Sequence, residues 1–503
     1  MRILRDDMPG CGHSGGKGLG KGGACMKKLM KGNEAIAEAA IQAGCRFFFG
    51  YPITPQNQIP EYMSKRMPQV GGCFLQAESE VAAINMVYGA AGAGARVMTS
   101  SSSPGISLKQ EGISYMVGAE LPCVIVNIVR GGPGLGGIQP AQSDYYQATR
   151  GGGHGDYRMC VLAPSSVQEA ADLTREAFEI ADRYRNPVMV IGDGLIGQMM
   201  EPVDMNWAEA PSPIGSTDSK PWAATGHVAT TDWPRAIINS LYIDPAELER
   251  HNLKLQAKYN AIAAQECRWE EEMLDDAEII LVAFGATGRI ASSAMRRCRE
   301  QGIKVGLLRP ITLWPFPAAA LQRSLQTARQ YLCVEMNLGQ MVDDVRLAVN
   351  GVCPVDFYGR VGGMVPTVDE LVTQVKKLAN HDEDECATDC EKRLEEFAKQ
   401  IGQTAEAIGS KLNEKLNEKM NTPEIKEKVE QVKQEAATLS EKAKDNIKKG
   451  ADSILHTLTG VWDSVRKSLW DPDPDSPADN QENEGQASEL DGTQAEADEG
   501  GED

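Results

Sequence analysis

The sequence contains 503 residues, enough for two or three domains. Its apolar fraction of 42% and charged fraction of 24% are typical of soluble folded proteins. The formal net charge of −20 argues against nucleic acid as a partner, and no run of about eighteen apolar residues is present, which excludes a transmembrane helix.

The N-terminal segment Met1–Cys25 is rich in glycine and lacks apolar periodicity. It is predicted to be a flexible extension or the product of an upstream start, and it has no apolar stretch of the kind a secretory signal needs. The twelve cysteines include no C-x-x-C pair, which indicates reduced thiols in a cytoplasmic protein and no iron–sulfur ligand set on this chain. Cys386 and Cys390 form a C-x₃-C pair, a weak metal signal that is interpreted as two surface thiols.

From Met26 onward, short apolar strands alternate with helical patterns, which predicts a doubly wound parallel α/β sheet. The predicted helices are Asn33–Gly44, Ile59–Met67, Ser79–Gly92, Ile106–Val117 and Ser166–Tyr184. The predicted strands are Cys45–Tyr51, Gly72–Gln76, Arg96–Ser100, Cys123–Val129, Arg158–Leu162 and Pro187–Ile191. Ligands bind at the carboxyl ends of such strands, so the polar turns that follow them are the candidate site.

Residues Glu201–Asp275 break the alternation and are predicted to form a surface connector that ends in a charged helix, Asp244–Leu274. A second, smaller α/β unit follows and closes near Asn380. Its predicted strands are Ala277–Phe284, Lys304–Leu308, Gln330–Met336 and Pro354–Tyr358, and its predicted helices are Gly288–Gln301, Val342–Val349 and Thr367–Leu378.

The C-terminal part has a different composition. Apolar residues recur at three- and four-residue steps from Leu394 to Val465, which predicts an amphipathic helical hairpin or coiled coil that docks a partner or self-associates. Asp471–Asp503 contains thirteen acidic and no basic residues, so it is predicted to be disordered. The predicted domains are 1–25 (extension), 26–200 (first α/β domain), 201–275 (connector), 276–380 (second α/β domain), 381–470 (helical extension) and 471–503 (acidic tail).

Glu80 lies in the first turn of a predicted helix that follows a strand. The commonest role of a carboxylate there is to complement the helix dipole. The functional alternative is a carboxyl that shares a proton with a buried heterocycle such as the aminopyrimidine of thiamine diphosphate. Glu78, two residues earlier, is the competing candidate.

Three further turns carry candidate side chains. Thr54 stands between prolines in Pro52-Ile-Thr-Pro55, where a hydroxyl has a defined direction and either contacts a 2-oxo acid or is an ordinary turn residue. Arg130 ends an apolar strand, and it either pairs with a substrate carboxylate or forms a surface ion pair. Ser101 and Ser102, within Ser100–Ser103, offer hydroxyls at another strand end. They either belong to a simple Ser-rich loop or, with Pro52, contact a cofactor.

The glycine-rich loop Gly131–Gly137 lacks the spacing of a dinucleotide fingerprint. Gly192-Asp193-Gly194 is similar to the start of a thiamine diphosphate metal motif. That motif needs an asparagine about 25–30 residues later to complete an oxygen shell around Mg²⁺, and 216–226 offers none. No metal ligand is therefore predicted on this chain, and the metal and diphosphate site is predicted to lie on another chain.

Taken together, several long runs resemble the alpha subunit of the 2-oxoacid:ferredoxin oxidoreductases, with the branched-chain (2-oxoisovalerate) member most similar and the 2-oxoglutarate member next. The resemblance covers about Met26–Asn380 and lies in these runs: KGNEAIAEAAIQAGC, FFGYPITPQNQIPEYM, QAESEVAAINMVYGAAGAGARVMTSSSSPG, GGHGD, LRPITLWPFP and VEMNLGQ. It implies a pyrimidine-binding domain followed by a transketolase-C-terminal-like domain.

The resemblance also implies partners and roles. A beta subunit would supply the diphosphate and Mg²⁺ site, a gamma subunit would complete the complex, and ferredoxin-like delta subunits would carry [4Fe–4S] clusters. The complex would convert a 2-oxo acid and coenzyme A to acyl-CoA and CO₂, with electrons passing to ferredoxin. The resemblance assigns cofactor activation to Glu80 and substrate contacts to Thr54 and Arg130. The alternatives are a 2-oxoglutarate or aromatic 2-oxo acid substrate, or a non-catalytic assembly scaffold.

Overall fold

The computed structural model describes residues 27–207, 220–226 and 235–380. All of these residues belong to a single compact body of the chain, Met1–Ala407, which contains both α/β units described below. The predictions for the N-terminal extension, the helical segment, the Cys386/Cys390 pair and the acidic tail lie outside the described residues. No helix in the described ranges has both the length and the apolar character needed to cross a membrane.

The first part of the described chain contains eight strands. They are β1 (Lys28–Lys31), β2 (Phe47–Gly50), β3 (Cys73–Gln76), β4 (Val97–Ser101), β5 (Val124–Val129), β6 (Cys160–Leu162), β7 (Val188–Asp193) and β8 (Met200–Val203). The helices between them are α1 (Gly32–Gln42), α2 (Gln58–Arg66), α3 (Glu80–Gly92), α4 (Pro104–Gly118), α5 (Tyr145–Arg150), α6 (Val167–Tyr184) and α7 (Gly194–Gln198), with a 3₁₀ turn at Met67–Val70.

The later elements begin with α8 (Pro245–Gln265). The strands that follow are β9 (Trp269–Glu272), β10 (Ile279–Val282), β11 (Val305–Pro310), β12 (Thr312–Trp314), β13 (Gln330–Glu335) and β14 (Val355–Gly359). The helices among them are α9 (Gly285–Arg299), α10 (Ala318–Ser324), α11 (Met341–Val349) and α12 (Val368–Ala379).

The main sheet has seven strands in the order β12-β6-β7-β5-β4-β2-β3. Its strands are parallel except β12, which pairs antiparallel with β6. Every residue of β4 and β5 is buried, which requires helices on both faces of the sheet. Among these helices, α1 packs on α6 and α3 packs on α4. The predicted doubly wound α/β fold is confirmed.

A second sheet has the order β14-β13-β10-β11-β9. It is parallel except for β9, which pairs antiparallel with β11. The predicted smaller α/β unit is therefore present. Its apolar strand β10 is wholly buried, and α9 and α12 pack against each other beside it.

One prediction of local structure was wrong, and two strand pairings were not predicted. The charged helix predicted for Asp244–Leu274 ends at Gln265, and its last residues form β9 instead, because pairing with β11 outweighs the helical preference of a short glutamate run. The Pro310–Pro317 stretch contains β12, which extends the first sheet rather than the second. The antiparallel pair of β1 and β8 was missed, since four residues give too little alternation to recognise.

A buried ion cluster joins the two α/β units. Arg309 of β11 contacts Glu270 of β9 at 2.7 Å and Glu169 of α6 at 2.9 Å. The side chains of Arg309 and Glu270 are each only 6% exposed. Removal of one partner from a buried ion pair leaves the others uncompensated in a medium of low dielectric constant.

We therefore expect Arg309→Met to lower the free energy of unfolding by about 3–5 kcal/mol, measured by urea denaturation. The matched control is Arg297→Met, since Arg297 pairs with Asp369 through side chains that are 51% and 80% exposed. The control should change stability by less than about 1 kcal/mol. An equally small effect at Arg309 would contradict the predicted cost of uncompensated charge.

Candidate active site

Four adjacent strands of the main sheet bring the candidate side chains to one edge. Strands β5, β4, β2 and β3 are neighbours and run parallel. Their carboxyl ends lead into the turns that hold Arg130, Ser101 and Ser102, Thr54, and Glu80 respectively. The prediction that these turns share an edge is confirmed, and it follows from the parallel direction of the strands.

The Pro52–Pro55 turn after β2 is fixed by two side-chain amide groups, of which that of Asn33 is buried. The Pro55 carbonyl accepts hydrogen bonds from Asn33 Nδ2 at 2.9 Å and from Gln198 Nε2 at 2.8 Å. Thr54 is half-buried, and its hydroxyl oxygen accepts a hydrogen bond from Asn57 Nδ2 at 3.2 Å. Pro52 is exposed at the start of the turn. The turn therefore holds the Thr54 hydroxyl in one place while Pro52 stays accessible.

Glu80 is the first residue of α3 and follows the N-cap Ser79, whose hydroxyl accepts the Ala82 N–H at 3.2 Å. Glu80 is only 6% exposed, whereas Glu78 is exposed. Burial of a carboxylate is costly unless something pairs with it, so the structure favours Glu80 over Glu78 as the unusual carboxylate of this turn.

The carboxylate of Glu80 lies against the turn between β4 and α4. A Cβ atom added at Gly105 would collide with Ser101 Oγ and would lie 2.5 Å from Glu80 Oε1. Only glycine permits this close approach. The structure therefore brings Glu80 and Ser101, two of the predicted site residues, close to the Cα atom of Gly105.

The serine turn after β4 carries two buried hydroxyls without partners. Ser101 and Ser102 are fully buried, and neither hydroxyl has a hydrogen-bond partner among the described residues. A buried polar group without a partner costs about 1–3 kcal/mol, and such groups mark places where a ligand completes the bonding. These hydroxyls are suited to a polar ligand at this edge.

Ser103, the next residue, has a φ of +26°, which a residue other than glycine adopts only when its surroundings enforce it. Its N–H donates to Asn127 Oδ1 at 3.1 Å, and its hydroxyl accepts the Arg130 N–H at 3.1 Å. Asn127 in turn donates to Asp144 at 2.9 Å, and burial raises the pKa of Asp144. This network holds the serine turn rigidly in place.

Arg130 is a buried cation that is only 7% exposed. Its Nη1 donates to the Thr54 carbonyl at 3.1 Å and its Nη2 to the Leu135 carbonyl at 2.9 Å, while Nε has no partner. No ion pair of the described chain includes Arg130, so it is not the surface ion pair of the alternative interpretation. A buried guanidinium of this kind is suited to an anionic ligand.

Sequence reasoning missed Lys109, which lies fully buried in α4. Its Nζ donates to Thr99 Oγ1 at 3.0 Å. Burial lowers the pKa of Lys109 to about 8, and the charge of Glu80 opposes that shift. Its position was readable from the sequence, because it falls on the apolar stripe of Ile106, Ile113 and Met116 at helical spacing.

Asp193 lies in the segment that is similar to a metal motif, but its carboxylate accepts hydrogen bonds from backbone N–H groups. Its carboxylate accepts N–H groups of Leu195 at 2.9 Å, Ile196 at 3.1 Å and Ala286 at 3.2 Å. It therefore caps α7 and joins the first unit to α9. Over the described ranges, no group of three or more metal-ligating side chains is placed to hold an ion.

Comparison with known proteins identifies the family. Residues 38–265 match a family model described as pyruvate flavodoxin/ferredoxin oxidoreductase, thiamine diphosphate-binding, and residues 277–371 match pyruvate:ferredoxin oxidoreductase core domain II. The ketoisovalerate oxidoreductase subunit VorB of Methanothermobacter thermautotrophicus is 49% identical over 71% of this chain and 99% of its own length. The 2-oxoglutarate synthase subunit KorA of that organism is 38% identical over 70% of this chain and 98% of its own.

A solved structure extends the comparison. The 2-oxoglutarate:ferredoxin oxidoreductase from Magnetococcus marinus, with 2-oxoglutarate, coenzyme A and succinyl-CoA bound, is 27% identical, covers 70% of this chain and 65% of its own, and has a TM-score of 0.62. The fold and these relatives thus define an oxidoreductase subunit that acts on 2-oxo acids. The chain belongs to the 2-oxoacid:ferredoxin oxidoreductase family and has its thiamine diphosphate-binding domain.

The residues at the strand edge fit a thiamine coenzyme. A partly apolar, nitrogen-rich ring needs buried polar partners, and the hydroxyls of Ser101 and Ser102 lack them in the described chain. A buried carboxylate is available at Glu80. The close packing at Gly105 keeps the edge between these groups free of a side chain.

Proposed function

We propose that this chain supplies the pyrimidine half of a thiamine diphosphate site in a complex that oxidises a branched-chain 2-oxo acid, 3-methyl-2-oxobutanoate. The overall conversion takes the 2-oxo acid and coenzyme A to acyl-CoA, CO₂ and a proton, and two electrons pass to ferredoxin. The single observation that supports it most is the buried Arg130, which has no carboxylate partner in the described chain and lies beside the Thr54 turn.

Each side chain of the edge has a proposed role. Glu80 shares a proton with the coenzyme ring and is the catalytic residue. Arg130 binds the carboxylate of the 2-oxo acid, and the Thr54 hydroxyl contacts its oxo group. Ser101, Ser102 and Pro52 contact the coenzyme. Bound thiamine diphosphate supplies the carbanion chemistry that decarboxylation of a 2-oxo acid requires.

The remaining parts of the complex are proposed to lie on other chains. A beta subunit would bind the diphosphate and Mg²⁺, which agrees with the engagement of the Asp193 carboxylate by three backbone N–H groups. A gamma subunit and a ferredoxin-like delta subunit with [4Fe–4S] clusters would complete a cytoplasmic complex. The predicted domain boundaries stay part of this proposal.

The loop after Arg130 favours an apolar substrate side chain. Residues 131–144, between β5 and α5, contain no lysine, arginine or histidine apart from the strand-end Arg130 that precedes them, and Leu135 and Ile138 of this loop are 82% and 58% exposed. A second carboxylate, as in 2-oxoglutarate, would find no cation in this loop, whereas a branched alkyl group would find apolar contacts. The greater identity to VorB than to KorA points the same way.

Kinetic measurements with several 2-oxo acids test the proposed preference for a branched-chain substrate. With the purified complex and ferredoxin reduction as the signal, we expect kcat/KM for 3-methyl-2-oxobutanoate to exceed that for 2-oxoglutarate at least ~10-fold, since one or two buried methyl groups are worth about 1–3 kcal/mol. A preference for 2-oxoglutarate would replace the proposed substrate with the alternative. Absence of turnover with every 2-oxo acid, aromatic ones included, would favour a non-catalytic scaffold.

A further inference from the structure

The second α/β unit reaches the candidate active site through the Gly362-Gly363 turn, which follows β14. A Cβ atom added at Gly363 would collide with Gln139 Cβ and would lie 3.0 Å from Gln139 Cγ. A Cβ atom added at Gly131, the residue after Arg130, would lie 3.7 Å from the nitrogen of Gly363. The turn therefore packs directly on the segment next to Arg130, at a distance that only glycine permits at position 363.

The segment that this turn contacts also holds Arg130. The N–H of Gly131 donates to the carbonyl of Gln139 at 3.0 Å. Arg130 pairs with Pro140 in an isolated antiparallel bridge, and its guanidinium donates to the carbonyl of Leu135 at 2.9 Å. A shift of Gln139 would therefore be transmitted to the backbone that carries the Arg130 side chain.

A second contact from the same unit lies further along this segment. The backbone N–H of Gln142 donates to the carbonyl of Met336 at 2.9 Å, and its side-chain oxygen accepts the N–H of Met336 at 3.0 Å. Met336 directly follows β13, the strand beside β14. Two neighbouring strand ends of the second sheet therefore contact the segment after Arg130, one at Gln139 and the other at Gln142.

The two glycines of the turn differ in their surroundings. Both have positive φ angles, +66° at Gly362 and +90° at Gly363, so a side chain would strain the backbone at either position. A Cβ atom added at Gly362 would meet no atom within 4 Å, whereas one at Gly363 would meet Gln139. The collision is therefore particular to Gly363, and Gly362 provides a matched control for the strain.

We propose that Gly363 is a positioning residue that keeps Gln139 in place and so keeps the Arg130 guanidinium where the carboxylate of a 2-oxo acid binds. This inference rests on the proposed role of Arg130 and gives the second α/β unit a part in substrate binding. No ion pair of the described chain fixes Arg130, which is held by carbonyl groups instead. Its direction therefore depends on the loop that carries it.

The test uses Gly363→Ala in the complete complex, with ferredoxin reduction as the signal. We expect KM for 3-methyl-2-oxobutanoate to rise about 10- to 100-fold and kcat to stay within about threefold, because a misplaced guanidinium loses substrate affinity. The inhibition constant of the methyl ester, which offers no carboxylate, should change by less than about threefold. Gly362→Ala, which adds strain without the collision, should also change KM by less than about threefold.

A second substitution shows whether contact with Gln139 is the cause. Gln139→Gly removes the Cβ atom that Gly363→Ala would strike, so the double variant should return KM to within about threefold of that of Gln139→Gly alone. Gln139→Ala keeps the Cβ atom and should restore nothing. On an Arg130→Met background, Gly363→Ala should cause no further rise in KM, because the side chain through which it acts is gone.

Wild-type KM in Gly363→Ala would overturn the inference, as would an equal rise in Gly362→Ala or a rise that Gln139→Gly does not reverse. A lower kcat with an unchanged KM would show a role in folding alone and would overturn it too. The same holds if neither Gly363→Ala nor its combination with Gln139→Gly assembles.

The outcome also separates this inference from the proposed function. A raised KM in Arg130→Met together with a wild-type KM in Gly363→Ala would remove the role of Gly363 and keep that of Arg130. A wild-type KM in Arg130→Met would remove the proposed role of Arg130 itself.

Discussion

Glu80→Gln is expected to lower kcat of the assembled complex about 10²–10⁴-fold, the usual range for loss of a general acid–base group. Glutamine has nearly the same shape and keeps the packing against Gly105. It cannot exchange a proton with the coenzyme ring, so the activated form of the coenzyme would form rarely. Ferredoxin reduction under saturating 2-oxo acid and coenzyme A measures the loss.

The neighbouring carboxylate provides the control. Glu78 lies two residues earlier in the same turn but is exposed, so Glu78→Gln should retain kcat within about a factor of two, the usual size of a surface effect. Size-exclusion chromatography should show that both variants keep their partner subunits. Wild-type turnover in Glu80→Gln, or a large loss in Glu78→Gln, would show that the wrong carboxylate was chosen.

The location of the candidate site could be predicted from the sequence because parallel strands end at one edge. Short apolar runs followed by polar turns identify the four strand ends in the sequence alone. The sequence could not distinguish Glu80 from Glu78, whereas the burial of their side chains does. Glu78 and Glu80 stand in the same turn, and only the direction of the first turn of α3 places one against Gly105 and the other in solvent.

Contacts between distant parts of the chain could not be read from local patterns. The guanidinium of Arg130 donates a hydrogen bond to the carbonyl of Thr54, 76 residues earlier. Nothing in the spacing of the sequence predicts that contact. β12 follows strand β11 of the second sheet, yet it pairs with β6 of the first. Local propensity is decided within a few residues, whereas strand pairing is decided by the whole fold.

Lys109 illustrates an intermediate case. Its place on an apolar helical stripe was visible, but a lysine on such a stripe commonly extends its ammonium group to solvent. In this structure the side chain is fully buried, and its ammonium group donates to Thr99 of β4. The periodicity predicted the direction of the side chain, and the tertiary packing determined that its charge would be buried.

The second large effect is expected at Arg130. Arg130→Met should lower kcat/KM for the 2-oxo acid about 30- to 5,000-fold, because truncation of one partner of a buried charge pair costs about 2–5 kcal/mol. The kcat/KM of Arg130→Lys should lie between those of the wild type and Arg130→Met. An ammonium group keeps the positive charge but lacks the planar, two-pronged geometry of a guanidinium. The exposed Arg158 of the same domain provides the control, and Arg158→Met should change kcat/KM by less than about threefold.

Equilibrium binding tests the proposed role of Arg130 more directly than rates do. The wild-type complex should bind the 2-oxo acid more tightly than its methyl ester, because only the acid offers a carboxylate to the buried guanidinium. Arg130→Met should lose that preference while still binding the ester, since the apolar contacts near Leu135 and Ile138 remain. If Arg130→Met kept the wild-type preference for the acid, the substrate carboxylate would have to bind elsewhere, and the unpaired Nε of Arg130 would have to bind the coenzyme instead.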